Sequence, residues 1–384
     1  MKRIRSIDLV RGIVMIIMAL DHTRDLFHIT AVTHDPLDLS TTTPALFFTR
    51  WITHICAPGF VFLSGVSAYI SLKARNDFAA SRRFLLKRGI WLIILELTIV
   101  NFGIWFDLRF SVFLFQVIGA IGFSFIILAL LLKQSTTTIG ITGLMIIFFH
   151  NLFILIPDGQ LKTILSPFFA SSLIPITPNT SFLLAYPPIP WLGIMLAGFA
   201  FAPQLLKPQV NRPKLFTRIG LACLLLFIML RFVDVYGDPS PWATQATTVY
   251  TLMSFLNLTK YPPSLLYDLA TLSLVFLLWA AAEKVRFTRV ISAIEIYGRV
   301  PLIYYLIHWY ILHLLMFVLL YAQGFTINDF VFGFNFGRPQ VTNGLPLWGV
   351  YVVWICVVSA LYPLCRWYNR YKATHRENHL LRYL

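Results

Sequence analysis

Asp21, His22, Arg24 and Asp25 stand at one end of an apolar run whose other end carries Arg11. Side chains of these types could move a proton and hold an anion. An imidazole takes a proton near neutral pH, and a carboxylate beside it fixes its tautomer and raises its basicity. A guanidinium holds a carboxylate or a developing oxyanion. A second set opens the next apolar run, Arg50–Trp51–Ile52–Thr53–His54, where Arg50 and His54 are four apart and hence on one helical face. His22, Asp21, Asp25, His54 and Arg50 are the candidate catalytic group, with Arg24 as support for the acceptor. Ionisable side chains cost at least ~2.5 kcal/mol each near the bilayer centre and so face protein or a wet cavity. The competing reading is that these charges only clamp two helices together.

Arg11 and His22 are eleven residues apart. On a helix that is about 20° beyond three turns, so they share a face ~16 Å apart along the axis. Glu96 lies in the apolar middle of a third run, Ile93–Ile94–Leu95–Glu96–Leu97–Thr98, and Lys260 precedes Tyr261–Pro262–Pro263–Ser264 at the start of another. Both are supporting candidates. Tyr304 and Tyr305 precede His308 by four and three residues, so a polar aromatic face surrounds that histidine. His313 falls on a different face, and His28 and His34 lie in a connection.

The elements that must position these residues are membrane spans. The chain has 384 residues, of which 58% are hydrophobic and 12% charged, about half the charge of a soluble domain. Apolar runs near twenty residues recur, which predicts an all-α polytopic bundle. We read ten spans: 9–27, 51–72, 89–106, 110–132, 139–156, 189–206, 215–233, 264–283, 300–322 and 346–366. Twenty-three Lys and Arg residues then fall on the side of the N-terminus and seven on the opposite side. That bias places both termini in the cytoplasm. The net charge of +15 is spread between the spans and forms no patch for a nucleic acid. The basic start followed by a long run holding Asp8 and Arg11 is read as a retained first helix. Cys56, Cys223, Cys356 and Cys365 sit in or beside apolar runs without metal-ligand spacing, so neither a metal site nor a disulfide framework is expected. Residues 1–384 read as one domain. Three outer connections, 28–50, 157–188 and 234–263, are long and rich in Pro, Thr and Ser.

The blocks Ser6–Ile7–Asp8–Leu9–Val10–Arg11–Gly12 running to Asp21–His22–Thr23–Arg24–Asp25, Phe48–Thr49–Arg50–Trp51–Ile52–Thr53–His54–Ile55–Cys56–Ala57–Pro58, Phe255–Leu256–Asn257–Leu258–Thr259–Lys260–Tyr261–Pro262–Pro263–Ser264 and Gly298–Arg299–Val300–Pro301–Leu302–Ile303–Tyr304–Tyr305–Leu306–Ile307–His308 occur in this order. As a set they resemble the bacterial branch of the heparan-α-glucosaminide N-acetyltransferase family. The Arg11-to-His22 spacing also resembles the Arg–x10–His signature of wider transmembrane acyltransferases. The resemblance implies a dimeric membrane enzyme that passes an acetyl group from cytoplasmic acetyl-CoA to an amino sugar or envelope glycan on the far side, in a bacterial inner membrane. Arg11, Arg299, His308 and Tyr304 are then the acyl-CoA-binding candidates, together with the basic run Arg82–Arg83–Lys87–Arg88. The alternative function is a secondary transporter of a small polar or anionic substrate, using Glu96, His308 and the arginines as its path. Such transporters often show two related halves with broken helices in matching positions, a pattern not seen here.

Overall fold

The computed structural model describes residues 3–286, 288–375, 377, 378 and 381. Lys2, Arg376 and Arg382, counted among the inner basic residues, lie outside them. Helices α1 (Arg5–Phe27), α2 (Pro44–Trp51), α3 (Cys56–Arg75), α4 (Phe78–Leu95) and α5 (Asn101–Trp105) come first. Strand β1 (Val112–Phe115) follows, then α6 (Val117–Leu131), α7 (Thr136–Phe149), α8 (Gln160–Phe169), β2 (Ser172–Thr177) and β3 (Thr180–Leu184). The chain continues through α9 (Pro188–Phe201), α10 (Pro203–Leu206), α11 (Arg212–Val233), α12 (Thr248–Leu256) and α13 (Leu265–Lys284). It ends with α14 (Arg289–Arg299), α15 (Pro301–Ala322) and α16 (Leu347–Thr374).

Among the described residues, seven helices are long and apolar enough to cross a membrane: Pro44–Arg75, Thr136–Leu155, Pro188–Leu206, Arg212–Val233, Leu265–Lys284, Pro301–Ala322 and Leu347–Thr374. The remaining expected spans, 9–27, 89–106 and 110–132, coincide with α1, with α4 and α5, and with α6. The last is shortened at its start, because Val112–Phe115 is strand and α6 begins only at Val117. At 15 residues it is ~22 Å long. Large apolar side chains on α7 (Ile141, Leu144, Met145), α11 (Leu225, Met229, Phe232) and α16 (Val352, Ile355) are exposed, as a lipid-facing surface requires. The all-α polytopic architecture expected from the sequence is therefore present. To it is added one small sheet in which β3 lies between β1, its parallel neighbour, and β2, its antiparallel neighbour.

Helix α1 is the core element, packed against α3, α13, α14, α15 and α16. At its inner end it crosses α14 with almost no space. A side chain at Gly12 would strike the Ile294 carbonyl, and one at Gly298 would strike the Asp8 carbonyl. That approach lets Arg11 donate to the Gly298 carbonyl at 3.1 Å and to Ser67 Oγ at 2.8 Å. Asp8 pairs with Arg3 and faces Arg11 at 3.8 Å.

Local chemistry breaks the long helices at defined points. Thr43 caps α2 by accepting from Leu46 N, with Pro44 in the first turn, where its missing N–H costs nothing. A 3-10 turn, Ile52–Ile55, joins α2 to α3, and a π turn, Glu96–Val100, joins α4 to α5. Asn76, in the left-handed conformation at φ 51°, ends α3, and Asp77 caps α4.

The outer connections are tied down by buried arginines. Arg231 donates to the carbonyls of Ser240, Ser254, Phe255 and Asn257. Arg338 donates to the His28 carbonyl at 3.0 Å and to Asn343 Oδ1 at 2.8 Å, which pins the 323–346 connection to the end of α1. His28 Nδ1 accepts from the Thr30 N–H at 3.3 Å. Burial, then the positive Arg24 and Arg338, push its pKa down to about 4, below the ordinary ~6.5. The folded state thus refuses a proton that the unfolded chain accepts, and stability is lost as pH falls from the ordinary value toward 4. The melting temperature in detergent should drop over that range, and the drop should be smaller in His28→Asn, which keeps an acceptor but does not titrate.

Candidate active site

Asp21 is shared by two cations. Its Oδ1 accepts from Arg24 Nη2 at 2.9 Å and its Oδ2 from Arg50 Nη1 at 3.0 Å. Asp25 accepts from the same Arg24 nitrogen at 2.6 Å, and Arg50 also donates to Thr53 Oγ1 at 2.9 Å. Both carboxylates are therefore committed to guanidinium groups, and neither orients His22. Adjacent positions on a helix point ~100° apart, so Asp21 and His22 diverge. The expectation that Asp21 or Asp25 fixes the imidazole is replaced by a different partner.

That partner is His308. His22 Nδ1 lies 2.6 Å from His308 Nε2, and His308 Nδ1 lies 3.2 Å from the Tyr304 carbonyl. A carbonyl only accepts, so His308 carries its proton on Nδ1 and, being neutral, presents a lone pair at Nε2. His22 must then donate from Nδ1, which leaves its Nε2 lone pair as the free base. The His22 ring stacks on Trp309 at 4.1 Å between ring centroids and meets His308 edge to edge, with centroids 4.9 Å apart, as the Nδ1–Nε2 contact requires.

Two cavities lie on either side of this region, named outer and inner after the orientation expected from the sequence. The outer one, about 560 Å³, is lined by Asp21, His22, Arg24, Asp25, Arg50 and Lys260, and also by Trp309 and by residues 31–36 of the first outer connection. The inner one, about 310 Å³, has cationic walls at Arg11, Arg88, Arg299 and Lys372, hydroxyls at Ser64, Ser67 and Ser71 on α3, and an apolar floor that includes Met18, Phe60 and Tyr305. His22 borders the outer cavity and Tyr305 the inner one, with ring centroids 6.3 Å apart. His22 and Trp309 line the outer space and Tyr305 the inner one, so these rings stand where the two spaces approach each other.

The other candidates fall as follows. Lys260 reaches the outer cavity, and Arg11 and Arg299 the inner one. His308 and Tyr304 are fully buried and border neither. Glu96 is fully buried in the π turn, where its Oε2 accepts from Gly119 N at 2.5 Å. A carboxylate at the first turn of α6 meets unpaired amides there, so Glu96 joins α4 to α6 behind the inner cavity. His54 is buried with neither ring nitrogen partnered, and it borders neither cavity. The 3-10 turn is the reason: it advances ~120° per residue rather than ~100°, so a four-residue spacing no longer returns to the Arg50 face. Gln116, Trp105, Tyr186 and Phe336 also line the outer cavity. Tyr186 falls in the Pro-rich connection 157–188, and that composition is the one sequence sign of any of them.

The profile of the heparan-alpha-glucosaminide N-acetyltransferase catalytic domain matches residues 3–231. The chain belongs to this family. It is therefore a membrane-embedded acetyltransferase family member, and the family implies acetyl-CoA as donor. No curated protein matches the chain. The matched residues end within α11, so they include Arg11, Asp21, His22, Arg24, Asp25, Arg50, His54 and Glu96 but not Lys260, Arg299, Tyr304 or His308. The structure brings the later residues to the earlier ones through the connection before α13, through α14 and through α15.

If His308 acts by fixing the His22 tautomer, its substitutions separate by hydrogen-bonding capacity. His308→Leu should lower kcat about a hundredfold, the scale of losing a positioned base. His308→Gln, whose Oε1 accepts the same proton, should keep most of it. The pH dependence of kcat should shift in the leucine variant, which a purely packing role would not produce.

Proposed function

We propose that the chain transfers an acetyl group from cytoplasmic acetyl-CoA to an amine or hydroxyl of an amino sugar or envelope glycan held in the outer cavity. The observation that carries this reading is the placement of His22, which borders the outer cavity, is hydrogen-bonded to the buried His308, and has its ring centroid 6.3 Å from that of Tyr305, a residue of the inner cavity. The proposal treats residues 1–384 as one domain with ten spans, both termini cytoplasmic, in a bacterial inner membrane and working as a homodimer.

Support comes from the chemistry of each side. The inner cavity pairs cations with an apolar floor, and Arg11, Arg88, Arg299 and Lys372 would take the phosphates of a CoA. The bound donor supplies a thioester. On the outer side, Asp25, whose side chain is 35% exposed, faces an ammonium or hydroxyl of the acceptor. The nucleophile is the neutral amine or the hydroxyl; His22 Nε2 takes its proton as the bond to the acetyl carbon forms and afterwards releases that proton to solvent in the outer cavity. The carbon–sulfur bond breaks, and the thiolate leaves to the inner side, where it is protonated. His22 Nδ1 stays on His308 throughout, so the base does not rotate. Arg50 and Arg24, locked by Asp21, keep a fixed positive field beside the reaction.

Purified full-length protein in detergent should acetylate glucosamine from acetyl-CoA, and His22→Ala should lower kcat by ~10²- to 10⁴-fold. Arg299→Ala should raise KM for acetyl-CoA without a matching fall in kcat. Turnover undiminished in His22→Ala would remove the assignment.

A further inference from the structure

The outer connection 157–188 folds into α8 and the hairpin of β2 and β3, and it turns apolar side chains outward. In α8, Leu161, Ile164 and Phe168 are 62%, 64% and 42% exposed, and no residue of the helix is buried. Spacings of three and four put these three on one face. Lys162, Thr163 and Ser166 take the opposite face, and Lys162 pairs with Asp158 at 2.8 Å. Strand β2 likewise exposes Leu173, Ile174 and Ile176. Large apolar side chains gathered in this way on a connection between spans are not at ease in water.

What covers them follows from their surroundings. Helix α7 belongs to a span that exposes Ile141, Leu144 and Met145, and the chain beyond them goes on exposing Phe149, Leu152, Ile154 and Leu155. The lipid-facing surface of that span is thus carried on toward α8. The strand order β1, β3, β2 leaves one edge of β2 without a partner strand. Free N–H and C=O groups exclude such an edge from the hydrocarbon interior, and Pro175 removes one of the donors. The side chains call for acyl chains and the backbone calls for water. The boundary between the two satisfies both.

We propose that α8 and β2 are seated in the lipid leaflet on the side of the outer cavity, where an amphipathic helix sinks its apolar face ~5–10 Å into the zone between headgroups and acyl chains. The partner is the phospholipid surface itself. Strand β3 joins this seat to β1, whose Leu114 lines the outer cavity, and leads directly to Tyr186 on the cavity wall. The leaflet thereby sets the depth of part of that wall. The seat holds whether or not the chain transfers acetyl groups.

The test uses the full chain in vesicles of phosphatidylethanolamine and phosphatidylglycerol. Cys56, Cys223, Cys356 and Cys365 are replaced by alanine, and an environment-sensitive dye is attached through Leu161→Cys or Thr163→Cys. Lipids brominated on the acyl chain should quench the dye in Leu161→Cys about threefold more than in Thr163→Cys, and iodide present on both sides of the membrane should show the reverse order. Equal quenching by iodide at the two positions overturns the proposal. So does a dye in Leu161→Cys that is shielded from both quenchers, because a second copy or another protein then covers the face. In the unsubstituted chain, a phospholipid with a diazirine on its acyl chain should mark peptides from 161–168 and 173–176. Marking confined to the seven long apolar helices contradicts the proposal.

Discussion

Polar side chains inside a lipid-clad helix bundle must be partnered or must face a cavity, and α1 carries both kinds. At its outer end Asp21 bridges Arg24 and Arg50. At its inner end Asp8 meets Arg3 and Arg11, with Arg299 at 4.0 Å. Burying ion pairs of this sort seldom adds stability over a well-packed apolar core. What these pairs do provide is position. Each locks one end of α1 against its neighbours, and each borders one of the two cavities. His22 lies within the outer anchor, between Asp21 and Arg24 in the chain, as the polar group whose Nε2 the network leaves open.

The division of labour between the two faces follows from that geometry. The inner cavity is basic at its walls and apolar at its floor, while the outer cavity is lined by paired charges, aromatic rings and loop residues. A donor that is polyanionic at one end and an extended chain at the other is complementary to the first. A polar acceptor is complementary to the second. His22 on one wall and Tyr305 on the other have ring centroids 6.3 Å apart, and the contact of His22 with His308 fixes which imidazole nitrogen is basic.

Much of this was legible in the sequence, for reasons that can be named. The spans follow from composition, and the placement of His22, Arg24 and Arg50 on a cavity wall follows from the cost of such groups in hydrocarbon. Arg11 and His22 share a face because α1 is an uninterrupted helix over that stretch. The same rule failed for His54, because a 3-10 turn intervenes between it and α2. Val112–Phe115 read as part of a span and is instead a strand, since a short apolar run does not distinguish the two until its pairing with Thr180–Leu184 is known. The His22–His308 contact joins residues 286 apart in the chain. No local pattern reports it, and His308 had been read as a donor-site residue. The arginine partners of Asp21 and Asp25 were likewise invisible, because the sequence shows who is adjacent and not who is bonded.

The central claim is that one reaction draws its two substrates from opposite faces. Sealed inside-out vesicles carrying the protein, with glucosamine trapped in the lumen and radiolabelled acetyl-CoA supplied outside, test it directly. The account predicts labelled N-acetylglucosamine in the lumen, absent from vesicles carrying His22→Ala. Product that forms only when acetyl-CoA and glucosamine share the same side would contradict it.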